Sequence, residues 1–278
     1  MQHILIPTDF SRNAWNATVY ALHFFKKEKV TFHFLHIDIF LQVNKNENLY
    51  HAGLTIKNEI SEAIKADMDE WISKVFTSYP NANHNFRQYI QQGPFVESIR
   101  DYIAEKDIQF MVMGTKGASG LQQMTVGSKT GAVITRVKCP ILVIPEDATF
   151  KKPINIGFPT DFNMLYKQKI INTLLDISKV YQSSIKVLRV AQTQKPLDNF
   201  QNNNRDILKQ QFSEVPHSFH VIEDPHLENA LQAFVNTMNI DIIAMIGKNL
   251  NFFQRLLFRP QVAQISYHMK IPFLVLHE

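Results

Sequence analysis

The chain has 278 residues, 45% hydrophobic and 19% charged, which are the proportions of an ordinary globular protein long enough for two domains with a core each. Its net charge is +4, but the excess lies in the second half and is spread thinly, without the clustered basic stripe of a nucleic-acid binder. No apolar run reaches the length of a membrane span, the N-terminus reads directly as a strand rather than a signal peptide, and Cys139, the single cysteine, leaves no internal disulfide. Together these point to a reducing, cytoplasmic setting without membrane attachment.

In chain order, strand patterns fall near residues 2–7, 30–37, 84–91, 109–114 and 140–145, and helical patterns near 12–27, 53–79, 94–105 and 127–138. The second half gives strands near 153–159, 184–190, 217–222, 241–246 and 272–277 with helices between them, including a short one near 201–213. Short apolar runs alternating with helices predict βαβ units and a parallel sheet covered on both faces, an α/β class.

Two stretches repeat. Pro7-Thr8-Asp9-Phe10 recurs as Pro159-Thr160-Asp161-Phe162, and the run from Cys139-Pro140 to Ile144 aligns with the run from Ile271-Pro272 to Leu276. One unit has been doubled, so we expect domains at 1–148 and 149–278. Pro140 and Pro272 open the last strand of each copy, as befits an edge strand. Both strands are short, apolar and uncharged, and such edges have to be covered. The two are expected to pair antiparallel.

Chemistry is concentrated after the fourth strand. Met113-Gly114-Thr115-Lys116-Gly117 is followed by Gly127-Ser128-Lys129, reading G-x2-G-x9-G-S. Glycines there allow a sharp turn and a close approach of backbone to ligand, and the helix that starts at Gly127-Ser128 would turn its free amides toward an anion, best a phosphate. The spacing fits neither a Walker A loop nor the dinucleotide fingerprint. The bland alternative is a flexible connection. In the second copy Asn249, Phe252, Phe253 and Arg259 stand where the glycine loop would be, so that copy is read as having kept the fold and lost the pocket. The histidines show no metal-ligand spacing, and Cys139 beside Pro140 reads as a buried structural thiol.

With P-T-D-F after strand 1, His36-Ile37-Asp38 after strand 2, and the glycine loop leading to C-P-I-L-V-I-P, the chain resembles the universal stress protein family in its tandem form. The resemblance implies two open parallel five-stranded sheets flanked by helices, strand order 3-2-1-4-5, of the adenine nucleotide alpha hydrolase-like kind. It implies ATP, carried with Mg²⁺, in the first copy. Asp9 and the backbone at Ile37 would meet adenine, Met113 and Gly114 the ribose, and Gly117, Gly127, Ser128 and Lys129 the phosphates, with Pro7 and Thr8 also among the nucleotide-binding residues. It also implies an intramolecular pseudo-dimer and leaves a further homodimer open.

Each residue has a plainer role beside this one. Asp9 and Ser128 could serve as helix caps, and Lys129 could be solvated. Three functions compete: an ATP-binding stress-response regulator with unknown protein partners, a slow ATPase or nucleotide-dependent transferase, and an interaction module without nucleotide. No positioned base or charge clamp for phosphoryl transfer can be named from the sequence, so no catalytic residue is assigned.

Overall fold

In the computed structural model of the chain, the residues described are 1–38, 60–115, 128–191, 196–247 and 271–277. β1 (Gln2–Pro7), β2 (Val30–Asp38), β3 (His84–Gln92), β4 (Phe110–Gly114) and β5 (Ile141–Ile144) alternate with α1 (Arg12–Phe24), α2 (Glu62–Ser78), α3 (Phe95–Glu105) and α4 (Ser128–Arg136). The second half repeats the scheme with β6 (Asn155–Pro159), α5 (Gln168–Tyr181), β7 (Ser184–Ala191), α6 (Asn199–Gln211), β8 (His217–Glu223), α7 (Leu227–Thr237), β9 (Ile242–Ile246) and β10 (Phe273–Leu276). The helix expected over 53–79 is described from Glu62, and the glycine loop between Thr115 and Ser128 falls outside the described residues.

Local chemistry sets the helix starts. The Ser11 hydroxyl accepts from the Ala14 amide at 3.2 Å and opens α1, so Ser11 is the N-cap and Asp9 stands two residues outside it. Ser61 caps α2 in the same way. Asp198 and Gln201 form a reciprocal capping box on α6, which satisfies amides that no helical carbonyl can reach. α3 begins after Pro94, whose φ of −66° is the one its ring imposes.

All ten strands join one sheet, in the order β3-β2-β1-β4-β5-β10-β9-β6-β7-β8. Each half thus has the expected order 3-2-1-4-5, and the expected antiparallel pairing of the two last strands joins the two five-stranded sheets into one. The join is the antiparallel pairing of β5 with β10, with Val143 opposite Phe273, Leu142 opposite Leu274 and Ile141 opposite Val275; the other pairings are parallel. Two uncharged edges that would otherwise face water cover each other.

One face of the sheet is packed by α1, α2, α5 and α6 around Phe24, Phe34, Phe158 and Phe212. The other is packed by α3, α4 and α7 around Ile99, Val133, Ile134 and Phe234. Because both faces are covered, central strands such as β1 are apolar at successive positions rather than at alternate ones.

Candidate functional site at the split between the first and fourth strands

The strand order reverses between β1 and β4, and their pairing is limited to Ile4 with Phe110 and Leu5 with Met111. From there the chain leaves β1 toward α1 on one face of the sheet and leaves β4 toward α4 on the other. This divergence opens the crevice in which open α/β sheets hold ligands, beyond the carboxyl ends of the strands.

The motif leaving β1 is a compact turn. The Thr8 amide donates to the Leu35 carbonyl at 2.9 Å and prolongs the sheet by one bond. The Thr8 hydroxyl accepts from the Phe10 amide at 3.0 Å and the Asp9 carboxylate accepts from the Ser11 amide at 3.1 Å. These side chains mimic a backbone turn and hold Phe10 at a φ of 60°, an uncommon conformation for a residue with a Cβ. Phe10 then stacks on His36 with ring centroids 4.7 Å apart, and His36 Nδ1 lies 3.0 Å from the Thr8 carbonyl oxygen. Pro7 and Thr8 are buried, whereas Asp9 is partly exposed at the crevice.

The exit of β4 fits tightly against this turn. A Cβ on Gly114 would stand 3.1 Å from the Asn13 carbonyl oxygen in the first turn of α1. The Gly114 carbonyl accepts from the buried Thr130 hydroxyl at 3.0 Å, which ties the strand exit to the start of α4. Asn13 and Thr130 are structural partners the sequence did not single out; a threonine two residues into a helix whose start is bound to a strand exit is the signal that marks the second.

Of the other expected site residues, Ile37 and Met113 are buried beneath α3 and α4, with 6% of their surface exposed, so only their backbone faces the crevice end. Ser128 is the first residue of α4. Lys129 is exposed, and its ammonium stands 5.2 Å from the centre of the Phe95 ring at the start of α3, a cation–π contact. Gly117 and Gly127 lie outside the described residues. The geometry therefore brings together Pro7, Thr8, Asp9, Met113 and Gly114.

The second half builds the same turn and then fills the space around it. Thr160 accepts from the Phe162 amide at 3.1 Å, Asp161 accepts from the Asn163 amide at 2.9 Å, and Phe162 has a φ of 60°. Here, however, the Tyr166 hydroxyl bonds the Thr160 hydroxyl. From α6, Gln201 donates to the Asp161 carbonyl and Asn204 to the Phe162 carbonyl, both at 2.9 Å. At the exit of β9 the His277 ring packs on Gly247 so closely that a Cβ there would come within 2.5 Å of it. Burial and the charge of Lys138 hold His277 down to a pKa of about 4. Among the described residues no His, Cys, Asp or Glu side chains gather as a metal cage would require, and no described helix is long and apolar enough to cross a membrane.

Comparison with known proteins agrees with this architecture. A universal stress protein of Methanocaldococcus jannaschii is 26% identical over 149 residues, 51% of this chain and 81% of that protein. The crystal structure of a universal stress protein from Archaeoglobus fulgidus matches 99% of this chain and 98% of its own, with a TM-score of 0.62 at 14% identity. A functionally unknown protein from Pseudomonas aeruginosa matches 100% of this chain and 92% of its own, with a TM-score of 0.56 at 11% identity; both structural likenesses concern the fold alone. The model of the universal stress protein family matches residues 1–145, and the chain belongs to that family.

Proposed function

We propose that the first half binds one adenine nucleotide, ATP accompanied by Mg²⁺, and that the protein is a cytoplasmic regulator whose occupancy is read by protein partners. The observation that carries this reading is the convergence of Asp9 and Gly114 on the split between β1 and β4. Gly114, the first glycine of the motif G-x2-G-x9-G-S, presents bare backbone where a Cβ would press on the Asn13 carbonyl at 3.1 Å. That motif and the start of α4 supply the kind of amides that hold phosphates. In this reading Pro7, Thr8, Asp9 and Ile37 border the base, Met113 and Gly114 the sugar, and Gly117, Gly127, Ser128 and Lys129 the phosphates. The Lys129 ammonium would leave the Phe95 ring to do so.

The domains at 1–148 and 149–278 then divide the labour. The second half, with its turn bound by Tyr166 and Asn204 and the exit of β9 packed by His277, takes no nucleotide and serves as the structural partner of the first. A slow ATPase is the second reading; among the described residues none at the crevice is assigned as a general base, so turnover should fall well below the enzyme median of about 10 per second.

The test is mass spectrometry of nucleotide released from the denatured, purified protein, followed by calorimetry with Mg·ATP. One site per chain that Gly127→Val abolishes is the expected result. Two equivalent sites would overturn the division between the halves, and no nucleotide in either experiment would favour the interaction-module alternative.

A further inference from the structure

α1 and α5 occupy equivalent places in the two halves. At a constant offset of 153 residues, Ala17, Thr18, Ala21, Leu22 and Phe24 correspond to Ile170, Ile171, Leu174, Leu175 and Ile177, and all ten are buried. The flanks of the two helices that face the other half are treated differently. On α1 that flank is covered by the chain's own residues 145–150. The Asn16 side-chain amide donates to the carbonyls of Pro145, Glu146 and Ala148 at 3.2, 3.2 and 3.0 Å. Phe150 stacks on His23 at 5.7 Å and meets Tyr20 edge-on at 5.3 Å.

The same offset carries Asn16, Tyr20 and His23 to Lys169, Thr173 and Asp176 on α5. These three line an open cleft of about 910 Å³, walled also by the first residues of β4 and β5 and floored by apolar groups such as Ile108, Phe110 and Tyr181. No described segment of the chain lies in it. Its charged groups are Lys138 and Lys169 toward β5 and Glu28 and Asp176 toward the end of α1, with Asp107 just ahead of β4 and Lys179, bound to Glu214 at 2.6 Å, in the same lining. Lys169 acts on Cys139, next to Lys138, and neither lysine has an ion-pair partner among the described residues. Burial, with the nearby charge of Asp176, raises the Glu28 pKa, and Glu28 in turn acts on Tyr181.

This order complements the segment seated on α1. Its sequence runs Glu146-Asp147, then Phe150, then Lys151-Lys152, from the Asn16 end of the helix toward the His23 end. A similar segment on α5 would set acidic residues at Lys169 and Lys138, an aromatic ring over the apolar floor, and basic residues at Asp176 and Glu28. We propose that this cleft binds an extended peptide segment of a partner protein in which acidic residues are followed by an aromatic residue and then by basic ones. Burial of the aromatic ring on the apolar floor supplies affinity, and the charged groups fix direction. The site is separate from the crevice between β1 and β4 and does not depend on nucleotide.

The test uses the full chain and a fluorescein-labelled synthetic peptide with the sequence of residues 144–152, followed by anisotropy. Saturable binding is expected, weakened at least tenfold by Lys169→Glu or by Thr173→Trp, which fills the cleft, and unchanged by Lys65→Glu on α2. Melting curves confirm that the variants fold, and the pair of substitutions separates the cleft from displacement of the native segment on α1. Replacing the peptide phenylalanine with alanine, or exchanging its acidic and basic ends, should also abolish binding. Absence of saturable binding up to about 1 mM, or binding indifferent to both Lys169→Glu and Thr173→Trp, would overturn the proposal. So would a concentration-dependent dimer of the unaltered chain that Thr173→Trp dissolves, since a second copy would then be the occupant.

Discussion

Gly114, the last residue of β4, lies so close to Asn13 that a Cβ would stand 3.1 Å from the Asn13 carbonyl oxygen. The exit of β4 is therefore fitted against the backbone of α1, which cannot swing aside as a side chain can. Gly114→Ala should push β4 and α1 apart and destabilise the protein by about 1–3 kcal/mol, the usual cost of overpacking. Urea unfolding measures the loss, and nucleotide affinity should fall with it. A variant of unchanged stability would show that the strand exit yields freely.

The paired turns make an internal control. Asp9 and Asp161 each accept the backbone amide two residues on, and Asp161 also accepts from the Asn163 side chain, so replacing either with alanine should cost about 0.5–1.5 kcal/mol per hydrogen bond lost. Only Asp9→Ala should also weaken nucleotide binding, as calorimetry can read. Equal binding by both variants would reduce Asp9 to a turn-former.

The junction between the halves should carry much of the stability. Leu142 and Leu274 lie opposite each other in the antiparallel pair and are buried. Truncating either to alanine should cost about 2–5 kcal/mol, and the double variant should lose less than the sum because both empty one region of the core. A fragment of residues 1–150 should self-associate through the bared β5. A well-behaved monomeric fragment whose 141–144 amides exchange freely in the full chain as well would contradict this account.

Acid should weaken the fold through its buried histidines. Burial, the first cause, and the neighbouring charge of His3 lower His33 from 6.5 to about 4, and His277 is held to about 4 by burial and Lys138. The unfolded chain takes up these protons near pH 6.5 while the folded one refuses them until about pH 4, so stability should drop across that window and level off below it. His277→Leu should remove part of the drop, as denaturant unfolding at the two ends of the window would show. A variant that loses as much as the parent would mean that His277 does not contribute.

Much of this protein was legible in its residues. Apolar runs at strand length, alternating with helical periodicity, marked all ten strands to within a few residues, because a parallel sheet buried on both faces leaves a continuous apolar signal. The repeated P-T-D-F announced two equal turns, since their hydrogen bonds are local and travel with the sequence. The proline-led, uncharged last strands called for cover, and β5 and β10 supply it to each other.

Other features came into being only when distant parts met. Nothing near Gly114 in sequence names Asn13, 101 residues earlier, as the backbone it must clear. The closing of the second turn depends on Asn204, from α6, and the packing at the exit of β9 on His277, from beyond β10. Lys129, which the loop motif assigned to phosphate, stands over a ring contributed by α3. Local hydrogen bonding and hydrophobic periodicity are written in neighbouring residues, so the sequence alone determined the elements, the doubled turn and the family. Close approach and burial depend on segments brought together by the whole sheet, so only the tertiary structure decided what packs against the second turn and which flank of α1 and α5 is covered.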